Sequence, residues 1–128
     1  MDTESLLKKL RYGADLKAVV LNAPTEYEED FNLGFSNALK ALKAQFTILF
    51  IRNRSELNRF FAETIKGIEE DSLLWLAYPK GGSSIKTDLN RDIIWELIKP
   101  TGYRPVALVS MDGDWSAMRI RPEGKVKG

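Results

Sequence analysis

Residues 73–104, LLWLAYPKGGSSIKTDLNRDIIWELIKPTGYR, carry the pattern that decides the fold. An uninterrupted apolar run, 73–78, ends at the turn-forming segment 79–84, PKGGSS, and a second apolar pattern begins at Leu89. A short apolar run bounded by turn residues is typical of a buried strand, whereas apolar residues spaced three and four apart are typical of a helix. The stretch therefore predicts a buried strand, a glycine-rich loop and a helix.

The helix is predicted over 89–99. Its apolar residues recur every three or four positions, and Pro100 follows as a stop signal. Thr87 or Asp88 is expected to cap its first turn, because either side chain can accept a hydrogen bond from a free backbone N–H group.

The loop before this helix is a candidate ligand site. Lys80 and Lys86 supply positive charge, and Ser83, Ser84 and Asp88 supply further polar groups. The free N–H groups and the positive end of the helix dipole would favour an anion beside them. The alternative is a capped helix after an ordinary turn, because every strand-to-helix unit has such a turn.

The rest of the chain predicts four further strands, at 18–21, 46–51, 104–110 and 115–121. The run at 46–51, FTILFI, is apolar almost throughout, as in a strand covered on both faces, and is expected to be central. Further helices are predicted at 3–12, at 55–68 with Ser55 as N-cap and, from a weaker pattern, at 33–44.

The last two strands are expected to form a hairpin. Residues 112–113, DG, are a two-residue turn signal between them. Apolar residues alternate with arginines over 118–121, MRIR, so one face of the last strand is expected to be buried and the other exposed.

Strands separated by crossovers and followed by a hairpin predict an α/β fold. We expect a three-layer Rossmann-like sandwich with a mainly parallel sheet of about five strands and a C-terminal antiparallel hairpin. The expected sheet order is first, second, third, fifth and fourth strand. One domain spans 1–128, with an N-terminal helix within 1–13 and a flexible tail at 123–128.

Composition narrows the classes of function. The 128 residues contain no cysteine and no histidine, and the formal net charge is +1. Thiolate nucleophiles, Ser-His pairs and most zinc sites are therefore excluded, and no strong field attracts nucleic acid or a membrane surface. Without a signal peptide or a membrane-spanning run, we expect a cytoplasmic protein with no metal, nucleic-acid or membrane partner. The oligomeric state stays open.

The acidic segment 25–30, TEYEED, is a second place where a ligand could bind. Clustered carboxylates can hold a divalent cation through their oxygens. The spacing matches no EF-hand loop, however, and we expect a solvated acidic turn.

Several segments together resemble a family of small bacterial proteins that carries only a domain-of-unknown-function label. These segments are 22–24 (NAP), 78–81 (YPKG), 86–92 (KTDLNRD), 102–106 (GYRPV) and 114–119 (DWSAMR). The likeness covers most of the chain and departs most at 32–45. It implies no activity.

The order of the predicted elements is similar to the C-terminal half of an S-adenosylmethionine-dependent methyltransferase, whose last strand inserts antiparallel beside its neighbour. No glycine-rich cofactor loop follows the first strand, however. Ile85 also stands where the phosphate-binding pattern G-x-x-x-x-G-K-[ST] requires its second glycine. No cofactor is therefore predicted.

Two functions remain open. The first is a non-enzymatic binding or regulatory module that takes a small anion or a protein partner at the loop 79–90. The second is an enzyme that uses Lys80 or Lys86 with Asp88 as acid and base on a small anionic substrate. A lysine in so polar a loop is expected to stay hydrated and charged, which favours binding.

Two residues outside the loop belong to the predicted site. Adjacent parallel strands end on the same side of a sheet, so Asn22 and Arg52 are expected to converge on the loop from neighbouring strand exits. A third hypothesis, a structural subunit of an oligomer, requires that Trp115 be exposed.

Overall fold

A five-stranded sheet with helices against both of its faces makes up the described part of the chain. The computed structural model describes residues 3–13, 15–28 and 44–125. The strands are β1 Ala18–Leu21, β2 Ala44–Phe50, β3 Ile68–Pro79, β4 Tyr103–Ser110 and β5 Trp115–Pro122. The helices are α1 Thr3–Lys9, α2 Thr25–Glu28, α3 Arg54–Lys66 and α4 Arg91–Ile98, with 3₁₀ turns at Lys99–Thr101 and Glu123–Lys125.

The order of the strands is β1-β2-β3-β5-β4, which confirms the predicted order. Strands β1, β2 and β3 are parallel, whereas β5 pairs antiparallel with both β3 and β4. The sheet is therefore mixed, and the prediction of a mainly parallel sheet is wrong. The physical reason is that β5 inserts between two strands and so contributes two antiparallel ladders.

Each face of the sheet buries its own apolar cluster. On the face covered by α3 and α4, the core is built from strand and helix residues such as Leu49, Leu57, Phe61, Leu74, Leu76, Ile94, Ile98, Met118 and Ile120. On the other face, which we call the α1 face, it contains Leu6, Leu10, Tyr27, Phe46, Ile48, Phe50, Trp75, Ala77 and Trp115. Every residue of 46–51 is fully buried, as expected for a strand covered on both sides.

The face of β5 that carries Arg119 and Arg121 is less exposed than predicted. Trp115 and Ala117 are buried on this face, in the core that α1 covers, and Arg119 and Arg121 are half-buried. The expectation of an exposed face is therefore wrong, because α1 and its following turn cover part of it.

Asparagine side chains begin both α3 and α4. Asn53 and Asn90 each accept a hydrogen bond, at 2.9 Å, from the backbone N–H three residues later. Both have the extended backbone of an N-cap residue. The predictions that Ser55 caps α3 and that Thr87 or Asp88 caps α4 are therefore wrong.

β3 begins earlier than predicted, at Ile68 rather than Leu73. Ile68 pairs with Ala44, and Leu73 pairs with Phe46, with a shift of register between the two pairs. The acidic residues of the first half hide this part of the strand from a prediction that relies on apolar runs.

The connection between β4 and β5 is a three-residue loop, 112–114, rather than the predicted two-residue turn. The Met111 N–H donates to the Trp115 carbonyl at 3.0 Å. Met111 and Trp115 therefore form one further pair beyond Ser110 and Ser116, and 112–114 remain as the loop. The Asp112 carboxylate accepts the N–H groups of Asp114 at 2.7 Å and Trp115 at 2.8 Å and so holds the loop. Trp115 is only 1% exposed, which removes the premise of the structural-subunit hypothesis.

Two predicted segments fall largely outside the described residues: the helix at 33–44 and the end of the acidic segment, 29–30. Among the described residues, no three acidic side chains are grouped so that they could hold a metal ion. No described helix combines the length and the apolar character needed to cross a membrane.

Candidate functional site

Polar side chains gather where the parallel strands end. Asn22, Arg52 and Lys80 follow β1, β2 and β3, so all three lie at one edge of the sheet. The loops 80–90 and 112–114 reach the same edge, because the last residue of β3 pairs with the first residue of β5. We call this region the carboxyl edge.

The Glu56 carboxylate joins the exits of β1 and β2. Its Oε1 accepts the Asn22 side-chain amide at 3.1 Å and the Arg52 N–H at 2.8 Å, and its Oε2 lies 3.2 Å from the Arg52 guanidinium. Asn22 has a left-handed backbone, with φ 58°, which asparagine tolerates better than most residues. Asn22 and Arg52 do come together, on a carboxylate that the sequence analysis did not select.

Thr87 and Asp88 attach the loop 80–90 to the exit of β2. The Thr87 hydroxyl donates to the Arg52 carbonyl at 2.6 Å and accepts the Leu89 N–H at 3.1 Å. The Asp88 carboxylate accepts the Arg54 N–H at 2.9 Å, at the first residue of α3. A carboxylate at this end of a helix is favoured by the helix dipole. The Asp88 carboxylate therefore stabilises the first turn of α3 and not that of α4.

The other end of this loop is attached to the β4–β5 connection. The Lys80 N–H donates to the Asp114 carbonyl at 2.8 Å, and the Ser84 N–H and hydroxyl each lie 3.3 Å from the Asp114 carboxylate. The Lys80 ammonium donates to the Ser110 hydroxyl at 2.6 Å. The loop is therefore fixed to two different neighbours.

The Asp112 carboxylate is a structural acceptor within this edge. It accepts the Tyr27 hydroxyl in addition to the two backbone N–H groups of its own loop. Burial by itself raises the pKa of Asp112, but these hydrogen bonds and the charge of Lys80 outweigh burial, and the net pKa is lowered. Asp112 is therefore ionised at neutral pH and is not a proton donor there.

Asp112 should make the stability of the fold sensitive to acid. Because its pKa is lower in the folded chain than in the unfolded chain, its contribution is present above about pH 4 and is lost as the pH falls through the folded value. We expect Asp112→Asn to be less stable than wild type at pH 7 by about 1 kcal/mol, with the difference shrinking below about pH 4. Urea denaturation across this range measures it.

Asp15→Asn, at an exposed position, is the matched control for this pH dependence. It should follow the wild-type curve closely. A difference between Asp112→Asn and wild type that stays constant from acid to neutral pH would contradict the lowered pKa.

The seven residues predicted for the site separate into small groups at this edge. Asn22 and Arg52 share Glu56, Lys80 and Ser84 contact the β4–β5 connection, and Asp88 contacts α3. The two remaining residues are Ser83, which bonds the Ile85 backbone, and Lys86, which is exposed.

The sequence analysis missed three carboxylates at this edge, those of Glu56, Asp112 and Asp114. Glu56 stands three residues after the N-cap Asn53, which is the spacing of a capping box and the one local signal that could have selected it. Asp112 had been interpreted as part of a turn, and Asp114 only as part of the segment 114–119.

The described side chains do not assemble the acid–base pair of the enzyme hypothesis. Asp88 contacts Arg54, whereas Lys80 contacts Ser110. These contacts do not join the Lys80 ammonium to the Asp88 carboxylate as a proton acceptor.

Comparison with solved structures places the fold. The chain is similar to a ribosomal protein L11 methylase from Lactobacillus delbrueckii subsp. bulgaricus, with a TM-score of 0.57, 10% identity and coverage of 94% of this chain and 76% of that one. It is similar to a chain of a fibrillarin/Nop5p complex, with a TM-score of 0.54, 9% identity and coverage of 87% and 74%. A third similar structure is LepI in complex with SAM, with a TM-score of 0.52, 10% identity and coverage of 94% and 39%.

At these identities the likeness shows the fold alone, which is α/β and Rossmann-like with a methyltransferase-like layout, as the order of elements predicted. No protein-family model matches the chain, and no curated protein does either. The resemblance to the bacterial family of unknown function therefore stays a prediction.

Proposed function

We propose that this chain is a non-enzymatic binding module, built as a three-layer Rossmann-like domain, that takes a small anionic or polar ligand at the carboxyl edge. The ligand contacts the loop 80–90 rather than a separate cofactor site. The observation that supports this most directly is that residues 81–82 are exposed between Lys80 and Ser84, which both contact Asp114.

The first part of the loop is open to a ligand. Gly81 and Gly82 are exposed, and a Cβ built at either position meets no atom within 4 Å. Gly82 has φ 82°, a conformation in which a glycine is favoured. Because Asp114 and Thr87 hold the two ends, a ligand loses little entropy in ordering the backbone that it contacts.

Charge favours an anion over a neutral ligand. Lys80 and Lys86 both belong to the loop. The nearby Asp88 and Asp114 carboxylates are engaged by backbone N–H groups, which offset part of their negative charge. The exposed Lys86 and the half-buried Lys80 attract an anion through water, so salt should weaken binding.

Methyl transfer is the obvious alternative, because one of the similar structures is a methylase. The segment after β1, residues 22–24, reads NAP and contains no glycine at which a cofactor could approach the backbone. The acid–base alternative finds no support in the contacts of Asp88. Binding without chemistry is therefore the function that these residues support best.

NMR titration of the labelled protein with inorganic phosphate, a nucleoside monophosphate and acetate tests the proposal. We expect the amides of 81–84 to shift first. Lys86 is exposed, and Lys80 is half-buried and bonded to Ser110, so Lys80→Ala and Lys86→Ala should each weaken binding about twofold to fivefold, and the double variant by more. Lys66→Ala, at an exposed position at the end of α3, is the control and should bind as wild type does.

Two outcomes would reject the proposal. Shifts confined to the acidic segment 25–28 would place the site there and leave the loop as a turn. Conversion of a ligand during the titration would identify the protein as an enzyme.

A further inference from the structure

Four arginines lie together at the end of the sheet opposite the carboxyl edge. They are Arg11 after α1, Arg104 on β4, and Arg119 and Arg121 on β5, and Asp71 of β3 bonds one of them. We call these five residues the arginine cluster. Four positive charges and one negative charge leave a formal charge of +3 (4 − 1).

The register of the strands places the cluster on a single face. Arg104 pairs directly with Arg121, and Arg119 precedes Arg121 by two residues, so all three side chains lie on one side of the sheet. Arg119 also pairs with Trp75, whose side chain belongs to the α1 face. The cluster therefore lies on the face that α1 covers.

Trp75 also explains why a fourth arginine is close. Its indole N–H donates to the Leu10 carbonyl at 3.0 Å and fixes the end of α1 over β3. Arg11 is the next residue, with a left-handed backbone of φ 64°. Its charge is near enough to disfavour the charged form of Arg119.

The Asp71 carboxylate bonds Arg121 through both of its oxygens. Its two carboxylate oxygens accept Arg121 Nε at 2.8 Å and a terminal nitrogen of Arg121 at 2.7 Å, the paired geometry of a guanidinium and an oxyanion. Within the described residues, the Nε groups of Arg104 and Arg119 are buried and have no acceptor. Donors are therefore in excess of acceptors here.

The environment of Arg119 disfavours its charge. Burial is the largest influence that lowers the pKa of Arg119, Arg11 and Arg121 lower it further, and Asp71 only partly opposes them. A guanidinium remains protonated nevertheless. A second negative group beside Arg119 would relieve the repulsion and supply the missing acceptors.

We propose that the arginine cluster binds a multiply charged oxyanion, phosphate or a phosphate ester, held mainly by Arg104 and Arg119. The Asp71 carboxylate bonds the Arg121 guanidinium at two points, and such an oxyanion would bond Arg104 and Arg119 in the same way. Phosphate suits this position because its oxygens match the guanidinium fork and its charge matches the excess. The site is separate from the carboxyl edge and needs neither Lys80 nor the loop 80–90.

Titration with inorganic phosphate and pyrophosphate, at constant ionic strength set with sodium chloride, tests this proposal. The Nε–Hε resonances of Arg104 and Arg119 are the reporters, and the melting temperature is a second readout. We expect both resonances to shift, more strongly with pyrophosphate, and the melting temperature to rise. Arg119→Gln should weaken binding about tenfold or more, since charge-assisted hydrogen bonds are lost.

Arg59→Gln, at an exposed position on α3, is the matched control and should bind as wild type does. Arg119→Lys is a second variant for the case in which Arg119→Gln fails to fold. It keeps the positive charge but lacks the planar guanidinium that binds an oxyanion at two points, so it should also bind phosphate more weakly. Unchanged affinity in Arg119→Lys and Arg119→Gln would overturn the proposal, as would identical shifts with chloride alone. Lys80→Ala should leave the arginine reporters unchanged, which separates this site from the one at the carboxyl edge.

Discussion

Replacement of Leu49 by alanine is expected to lower the free energy of unfolding by about 2 to 5 kcal/mol. Leu49 is fully buried near the end of β2 and pairs with Leu21 on one side and Leu76 on the other. The shortened side chain would leave a cavity in the core covered by α3 and α4, and strands held on both sides cannot close it. Chemical denaturation measures the loss.

Leu108→Ala is the matched control, because it is the same substitution at a position that is 45% exposed on the edge strand β4. It should change the free energy of unfolding by about 0.5 kcal/mol or less. If Leu49→Ala also lost less than about 1 kcal/mol, the interior position of β2 would be wrong.

Replacement of Trp75 by alanine is expected to lower the free energy of unfolding by about 3 to 5 kcal/mol. Trp75 is 2% exposed, lies on the middle strand β3 and is one of the largest buried side chains of the α1 face. Trp75→Phe separates packing from hydrogen bonding. It keeps most of the apolar volume but leaves the Leu10 carbonyl without its donor, at a cost of about 1 to 3 kcal/mol.

Amide hydrogen exchange would show which element is destabilised when the hydrogen bond to the Leu10 carbonyl is lost. In Trp75→Phe, amides of α1 should exchange faster while those of β2 stay protected, because the indole joins the residue after that helix to the sheet. Trp95→Ala, on the partly exposed side of α4, is the control and should leave α1 protection unchanged. Equal exchange of α1 in wild type and Trp75→Phe would show that packing alone holds the helix.

The sheet could be predicted because its strands are apolar runs with clear ends. Residues 46–51 are buried on both faces, so their sequence is apolar almost throughout. The turn signal that precedes 115–121 identified this segment as the second strand of a hairpin, and it is the strand that inserts beside β3. The first half of β3 could not be predicted in this way. Glu69 lies in it at an exposed position, and Asp71 there has a left-handed backbone, φ 53°, where the register between β2 and β3 shifts.

The candidate site was predictable only as far as topology fixes it. Asn22 and Arg52 meet because parallel strands end at one edge. Which side chain caps which helix depends on backbone angles that sequence spacing does not show, so Asn53, Asn90 and Glu56 were missed. The arginine cluster brings together residues from four separate segments, which the sequence does not show to be neighbours. The alternation of apolar residues and arginines over 118–121 suggested instead that the arginine side of β5 is exposed.

The position of β5 has a consequence for synthesis of the protein. This strand is made after the other four described strands, yet it lies between β3 and β4, and β4 pairs with no other described strand. Until residues 115–122 have left the ribosome, β3 presents an unpaired edge with fully buried residues such as Leu76 and Ala77 along it. Unpaired edges of this kind associate with other chains. The growing chain therefore depends on protection, or on rapid completion of β5, while the residues between β3 and β5 are made.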